Sequence, residues 1–398
     1  MQVPKLRFKE FNDEWISAKL RNLGNTYTGL SGKSKEDFKN GNSKFITYMN
    51  VFSNCISNNQ QLGNINITSN ETQNKVKYGD IFFTTSSETP KEVGMSSVWL
   101  FNDDNIYLNS FCFGFRLNNI TNFNIKFLAY LLRSNLIRKK IIFLAQGSTR
   151  YNISKNELMK LEILYPSIEE QTKIGDFLSL IDRKIELQEK LVENLKLYKK
   201  GLLQKVFSNN QEWNHVELYT VCDVRDGTHN SPKYTENGYP LVTSKNLSKN
   251  GQLDFSNISY ISQKDFDEIN KRSKVNVGDI LFGMIGTIGN PVLLTKDEFA
   301  IKNVALIKEK TKLKNKFLIQ FLNSSAIENQ FNFNKTGGTQ KFIALNSIRK
   351  LLVPIPSIEE QNRIANLFTS LDKKIELETK KLQDLKTYKK GLLQKMFI

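Results

Sequence analysis

At 398 residues the chain exceeds one ordinary domain, and its 39% apolar residues include no run near the ~20 that a membrane helix needs, so two or three self-sufficient domains and no membrane span are expected. Lys and Arg outnumber Asp and Glu by 57 to 40, a net charge of +17 that favours a polyanionic partner, nucleic acid first, although an AT-rich genome that writes Lys freely is a plainer source. Cys55, Cys112 and Cys222 stand far apart and in no CxxC spacing, which argues for free buried thiols in a reducing compartment and against a disulfide or zinc framework.

The chain opens MQVPKLRFKEF, with charges where a signal peptide would need its apolar stretch, so a cytoplasmic location is expected. Residues 1–165 read as a mixed domain of many short strands and a few helices. Within it lie Glu14-Trp15, the polar loop GLSGKSK from Gly29, and VKYGDIFF from Val76, where a Gly-Asp turn leads into a short apolar strand. GSTRYNIS from Gly147 precedes the next element. Residues 166–207 form a long helix, opened by a Ser-x-x-Glu capping box at Ser167 and Glu170. Residues 208–355 repeat the first plan: Glu212-Trp213, the turn-rich DGTHNSPKYTENGYPLVTSKNL from Asp226, VNVGDILF from Val275, and GGTQKFIA from Gly337. Residues 356–398 form a second long helix, with its own capping box at Ser357 and Glu360.

An internal repeat decides the architecture. Residues 166–207 align without gaps to 356–397, with 24 of 42 positions identical at an offset of 190. A period that long excludes a solenoid and marks a duplicated half. In the first copy a 4-3 spacing picks out Leu178, Ile181, Ile185, Gln188, Val192, Leu195, Lys199, Leu202 and Val206. The second gives Phe368, Leu371, Ile375, Glu378, Leu382, Leu385, Lys389, Leu392 and Met396. So narrow an apolar seam needs a partner helix, and the simplest partner is the other copy. An antiparallel pairing is expected, with Glu378 near Lys199 and Gln188 near Lys389 to fix register. The alternative is that each helix packs only on its own domain. The fold class is therefore α+β: two mixed domains joined by two long helices packed as an antiparallel coiled coil, with pseudo-two-fold symmetry.

Motifs for catalysis are missing where they would be needed. None of the eight prolines adjoins another, which excludes the Asn/Asp-Pro-Pro-aromatic loop with which an adenine methyltransferase holds its flipped base. GLSGKSK leaves two residues between its glycines where a phosphate-binding loop needs four, and GMIGTIG from Gly283 is spaced GxxGxxG where a dinucleotide loop needs GxGxxG. His215 and His229 are the sole histidines, and neither belongs to a Cys/His cluster of zinc spacing.

This arrangement resembles the specificity subunit of type I restriction-modification systems. The likeness rests on the paired PSIEEQ helices, the second of which ends KKGLLQKMF, and on DGTHNSPKYTENGYP; the first domain offers NTYTGLSGKSKEDF from Asn25 in place of the last. The resemblance implies a non-catalytic chain without cofactor or metal that places two recognition domains on one double-stranded DNA, each reading one half of a bipartite site. It also implies two modification (methyltransferase) subunits docked on the helices, and restriction (motor and nuclease) subunits added to them. A helix of ~40 residues spans ~60 Å, room for half-sites that recur on one duplex face about every 34 to 36 Å. Loop side chains with forked or multiple hydrogen-bonding groups are the candidates for contact with DNA: Thr149, Arg150 and Tyr151, and Thr339, Gln340 and Lys341. A second group is Thr228, His229, Lys233, Tyr234, Lys245 and Asn246, with Tyr48 and Asn50 as looser counterparts in the first domain. Phosphate contact is as natural a role as base reading for any one of them. The rival readings are a stand-alone DNA-binding regulator, a self-sufficient restriction enzyme and a coiled-coil scaffold.

Overall fold

The computed structural model describes residues 3–39, 41–208, 212–332 and 342–397. The chain divides into two compact units, residues 1–189 with 380–398, and residues 190–379. Both long helices form, Ile168–Ser208 and Ile358–Lys395, and each gives one part of its length to each unit.

The PSIEEQ motif explains how a helix start is anchored. Ser167 and Ser357 accept the backbone N–H of Glu170 and Glu360 at 3.5 and 3.2 Å, which is the serine half of the expected capping box. The glutamate half is diverted. Glu170 takes a two-pronged ion pair from Arg7, at 2.8 and 2.7 Å, and Glu360 accepts the indole N–H of Trp213 at 3.2 Å. A charge-assisted fork is worth more than a bond to an exposed amide that water can also satisfy. The glutamine that follows is buried in both copies. Gln171 donates to the carbonyls of Asn122 and Pro166 and accepts from Asn124 N–H; Gln361 donates to Lys312 and Pro356 and accepts from Lys314 N–H. Each glutamine ties its helix to the loop before a core helix, Ile125–Leu131 or Asn315–Leu322.

In the first unit, an antiparallel sheet runs Gly24–Thr28, Cys112–Leu117, Ile81–Thr84, Ser96–Val98. A second sheet orders Leu62–Ile65, Ser43–Ile46 and Ile106–Leu108, the last two parallel. The core gathers Trp15, Phe83, Phe113, Phe127 and Tyr130 with Ile174, Leu178 and Ile181 of the first long helix and Leu392, Met396 and Phe397 of the second. Phe397 plugs between Trp15 and Phe127, with ring centroids 6.5 and 5.7 Å away.

The second unit has the same plan. Its antiparallel sheet runs Cys222–Asp226, Val304–Glu309, Ile280–Gly283, Gly289–Leu293, beside a sheet of Tyr234–Thr235, Ser259–Ile261, Tyr239–Val242 and Ala300–Ile301. Here Phe207, which ends the first long helix, plugs between Trp213, Phe317 and Phe321. Leu203 and Phe207 share this core with Ile364, Ala365 and Phe368 of the second helix.

The helices run antiparallel within each unit. In the first, Asp182 pairs with Lys389 and Glu189 with Lys386; in the second, Lys199 bonds Asp372 at 2.5 Å. The seam is covered as its spacing requires: Leu178, Ile181, Val192, Phe368 and Leu392 are buried, and Ile185, Leu195, Leu202, Leu371, Ile375, Leu382 and Leu385 partly so. The register differs from the expected one. The lysines meet Asp372 and Asp182, each six residues nearer the helix N-terminus than Glu378 and Gln188. The plugged phenylalanines and tied glutamines dock the helix ends in the same register that these ion pairs share. The helices pack on each other and on the units, so neither of the two expected arrangements excludes the other.

The repeated Gly-Asp turns also match. Gly79 and Gly278 have φ of +85° and +91°, a region open to glycine, and the buried Asp80 and Asp279 accept the N–H of Lys77 and Asn276 at 2.8 Å in each case. A buried carboxylate needs a cation, supplied from the neighbouring strand by Arg116 in one unit and Lys308 in the other. In the first unit Tyr27 also donates to Asp80 at 2.7 Å, and burial, then the carboxylate, pushes its phenol well above its usual range.

Candidate nucleic-acid interface

Strand register aligns the two units residue by residue. Ile81 pairs with Phe115 and Ile280 with Ile307, so Cys112 corresponds to Val304; Ile46 pairs with Leu108 and Val242 with Ile301, so the turn before that strand has one residue more in the first unit and sets Ser110-Phe111 against Asn303. On the outer strand, Thr28 opposes Phe113 and Asp226 opposes Ala305, which makes Thr28-Gly29-Leu30-Ser31 the counterpart of Asp226-Gly227-Thr228-His229. The glycines confirm the match. A Cβ on Gly29 would lie 2.1 Å from the Asn109 carbonyl, and one on Gly227 would lie 2.4 Å from that of Ile301, so backbone passes backbone at the same place. The polar string GLSGKSK, which has the wrong spacing for phosphate, is thus the first unit's version of the DGTHNSP loop.

In the second unit, the loop is clamped from both sides. Thr228 N–H donates to Ile301, Asn303 N–H donates to Thr228, and Lys302 Nζ reaches Ser231 Oγ at 2.9 Å. The His229 ring sits between Asn303 Oδ1 at 2.8 Å and Asp226 Oδ2 at 2.7 Å, and Asp226 is itself ion-paired to Arg272. Asn303 holds the left-handed backbone region at φ +54°. His229 is therefore oriented by three other residues yet about half exposed, the geometry of a presented hydrogen-bonding group. Thr228 is half-buried, and Lys233, Tyr234 and Lys245 are exposed.

Asn246 is a correction. Its side chain is buried, accepts from Thr243 N–H and Oγ1, and donates to the Asp254 carbonyl, so it closes the turn Ser244–Asn246 and has no face for DNA. Asn50 is the same correction in the first unit. It is 2% exposed, donates to the carbonyls of Asn58 and Gln61, and accepts Asn58 N–H at 2.9 Å. Both asparagines end a Thr-x-x-Asn turn, Thr47 to Asn50 and Thr243 to Asn246, in which a short amide side chain substitutes for missing backbone partners. The residue just before each, Met49 or Lys245, is the exposed one.

Elsewhere in the first unit, Tyr48 is half-buried and donates to the Ser86 carbonyl at 2.7 Å, and burial raises its phenol above the usual value. Tyr151 pairs with Ser87 across a two-residue ladder. Thr149 and Arg150 are exposed, and the Arg150 guanidinium stands 5.9 Å from the centre of the Phe111 ring. The structure thus gathers Tyr48, Tyr151 and Arg150 around Thr84–Ser87 and Phe111. Thr339, Gln340 and Lys341 lie outside the described residues; just after them, Phe342 bridges to Ile285 and Ile343 N–H donates to Met284. Sequence reasoning missed Met49, Phe111, Arg272, Lys302 and Asn303, because only strand register brings them to the loops. The Thr-x-x-Asn repeat was the one signal that could have found Met49.

Among the described residues, no group of three or more His, Cys, Asp or Glu is arranged to hold a metal, and no helix is long and apolar enough to cross a membrane.

The chain is similar to the type I restriction enzyme MjaVIII specificity subunit of Methanocaldococcus jannaschii, 24% identical over 275 residues, which are 62% of this chain and 64% of that protein. It is also similar to the type I restriction enzyme EcoKI specificity subunit of Escherichia coli K12, 24% identical over 276 residues, 62% of this chain and 59% of that one. The chain therefore spans about six tenths of the length of these curated relatives. Among solved structures, the S subunit of a type I restriction-modification system from M. genitalium shares the fold, with a TM-score of 0.62 and 17% identity over 100% of this chain and 99% of that one. The sequence model of the type I restriction modification DNA specificity domain matches residues 12–197 and again 210–387, and the chain belongs to that family.

Proposed function

We propose that the chain is a sequence-specific DNA-recognition subunit of a type I restriction-modification complex, in which each unit reads one half of a bipartite site and catalysis resides in other subunits. The observation that carries this reading is one loop frame built twice with different side chains. Thr28-Gly29-Leu30-Ser31 stands where Asp226-Gly227-Thr228-His229 stands, Met49 stands where Lys245 does in the Thr-x-x-Asn turn, and Phe111 lies in the turn that holds Asn303 in the second unit. Like frames with unlike surfaces suit two targets of one kind and different sequence. The net charge of +17 supplies attraction to phosphate that is blind to sequence, and the loops supply the choice.

The two long helices are the proposed scaffold for modification subunits, to which restriction subunits are added. Support comes from large apolar side chains exposed at equivalent places in both copies: Leu187 at 57% and Leu377 at 59%, Tyr198 at 60% and Tyr388 at 56%. Repetition of such contacts suits two copies of one partner.

The test is co-expression with the cognate modification subunit in a host that lacks adenine methylation, followed by sequencing of methylated adenine. One bipartite motif that disappears without this chain is the expected result. An active modification subunit with no new motif would overturn the proposal and favour a stand-alone DNA-binding regulator.

A further inference from the structure

In two equivalent turns the units present opposite chemistry. Where the second unit exposes Lys245, the first exposes Met49, at 59%; in the turn where the second places Asn303 against His229, the first has one residue more and exposes Phe111, at 56%. An exposed aromatic needs no special reason by itself, but Phe111 has a rigid root. Its carbonyl accepts both the N–H and the hydroxyl of Thr85, each at 2.9 Å, its N–H donates to Asn109 Oδ1 at 2.8 Å, and the next residue is buried in the central sheet. The ring costs little entropy to hold in place, which is what a recognition anchor requires. Beside it the Arg150 guanidinium lies 5.9 Å from the ring centre, within range of a cation–π contact that steadies its fork. The loop that carries Arg150 turns at Gly147, with φ +125°, where a Cβ would lie 2.2 Å from the Arg150 carbonyl.

We propose that Phe111 is a specificity-determining residue of the first unit, which contacts the 5-methyl group of a thymine in the major groove and holds Arg150 for a neighbouring acceptor edge or phosphate. In that groove the methyl group is the one apolar feature that separates thymine from cytosine, and an aromatic or aliphatic side chain is the natural reader of it. Met49, next in the chain to Tyr48, which bonds Ser86, is a second exposed apolar side chain of this unit. The second unit, with Lys245 and Asn303 in these turns and His229 beside Asn303, is left to hydrogen-bonded readout. This inference rests on the proposed DNA-recognition role and adds to it the chemical character of one half-site.

The experiment uses the full chain assembled with its modification subunits, on duplexes that carry the methylated motif found by co-expression. Each thymine of both half-sites is replaced in turn by deoxyuridine, which removes the methyl group and nothing else. For the unaltered chain, one such replacement, in one half-site, is expected to weaken binding about three- to tenfold. The Phe111→Ala complex should bind the thymine and uracil duplexes equally at that position, and its methylation motif should accept cytosine there while the other half-site stays unchanged. Phe111→Leu, which keeps an apolar reach, should retain part of the preference. The proposal is overturned if no uracil replacement weakens binding, or if the penalty persists undiminished in Phe111→Ala and Phe111→Leu. A missing motif with the unaltered chain is a separate result, which overturns the DNA-recognition role and the thymine contact together.

Discussion

The ion pair between Asp182 and Lys389 offers a measurable test of how the helices hold register. The two side chains are 30% and 23% exposed, between the surface and the interior. At a separation near 4 Å and an effective dielectric constant of 20 the gross attraction is about 4 kcal/mol. Desolvation of two groups, each about three-quarters buried, and the ordering of a long lysine remove more than half of that. Asp182 also accepts the Tyr130 hydroxyl at 2.9 Å, and Lys389 stands 5.5 Å from the centre of the Tyr130 ring, so neighbours already orient both partners. A double-mutant cycle of Asp182→Asn and Lys389→Met should therefore give a coupling of about 1–2 kcal/mol. The equivalent pair, Lys199 with Asp372, has an aspartate that is 45% exposed, and Gln320 replaces Tyr130, so its coupling should be about half as large. Native-state hydrogen exchange of the helix amides on either side of each pair reads the opening free energy unit by unit. Equal couplings in the two units, or a value below ~0.3 kcal/mol at low salt, would refute the argument that the Tyr130 contacts strengthen the first pair.

Three further outcomes follow from particular contacts. Arg133 donates to the carbonyls of Val51, Phe52, Asn54 and Ser96 and so closes the helix Tyr48–Ser53; Arg133→Ala should destabilise the first unit by about 2–4 kcal/mol, read as a lower urea midpoint. Bonds from Lys33, then Thr68, hold the Glu71 carboxyl at about 2, below its ordinary value of 4.5. Because the folded value is the lower one, its stabilisation is complete above about 4.5 and fades as pH falls toward 2. The stability difference between the native chain and Glu71→Gln should therefore be full at pH 6 and nearly gone at about pH 2, as checked by urea unfolding across that range. His229→Ala should change the methylation motif in one half-site alone, by about tenfold at one base pair; equal loss of both halves would contradict independent reading by the two units.

Whatever depends on neighbours in the chain was legible in its order. The duplication, the 4-3 spacing of the seam, the serine cap of each PSIEEQ helix and the Gly-Asp turns are properties of short segments, and each has its expected local form. The side-chain partners were not legible to the same degree. Glu170 turns to Arg7 and Glu360 to Trp213, across separations of 163 and 147 residues, because the fold places a cation or an indole N–H closer than the expected cap. Asn50 and Asn246 look like free hydrogen-bonding groups in the sequence, yet their turns draw them inward and leave Met49 and Lys245 outside. Likewise, nothing in the order of residues joins Ser31 to His229 or Phe111 to Asn303.

The sequence by itself determined that this chain is two like halves joined by paired helices, since periodicity and capping are written in neighbouring residues. Tertiary structure alone decided the helix register and which loop residues face outward. Both depend on strand pairing and core docking between residues far apart in the chain, where a shift of one strand position exchanges the buried side chains for the exposed ones.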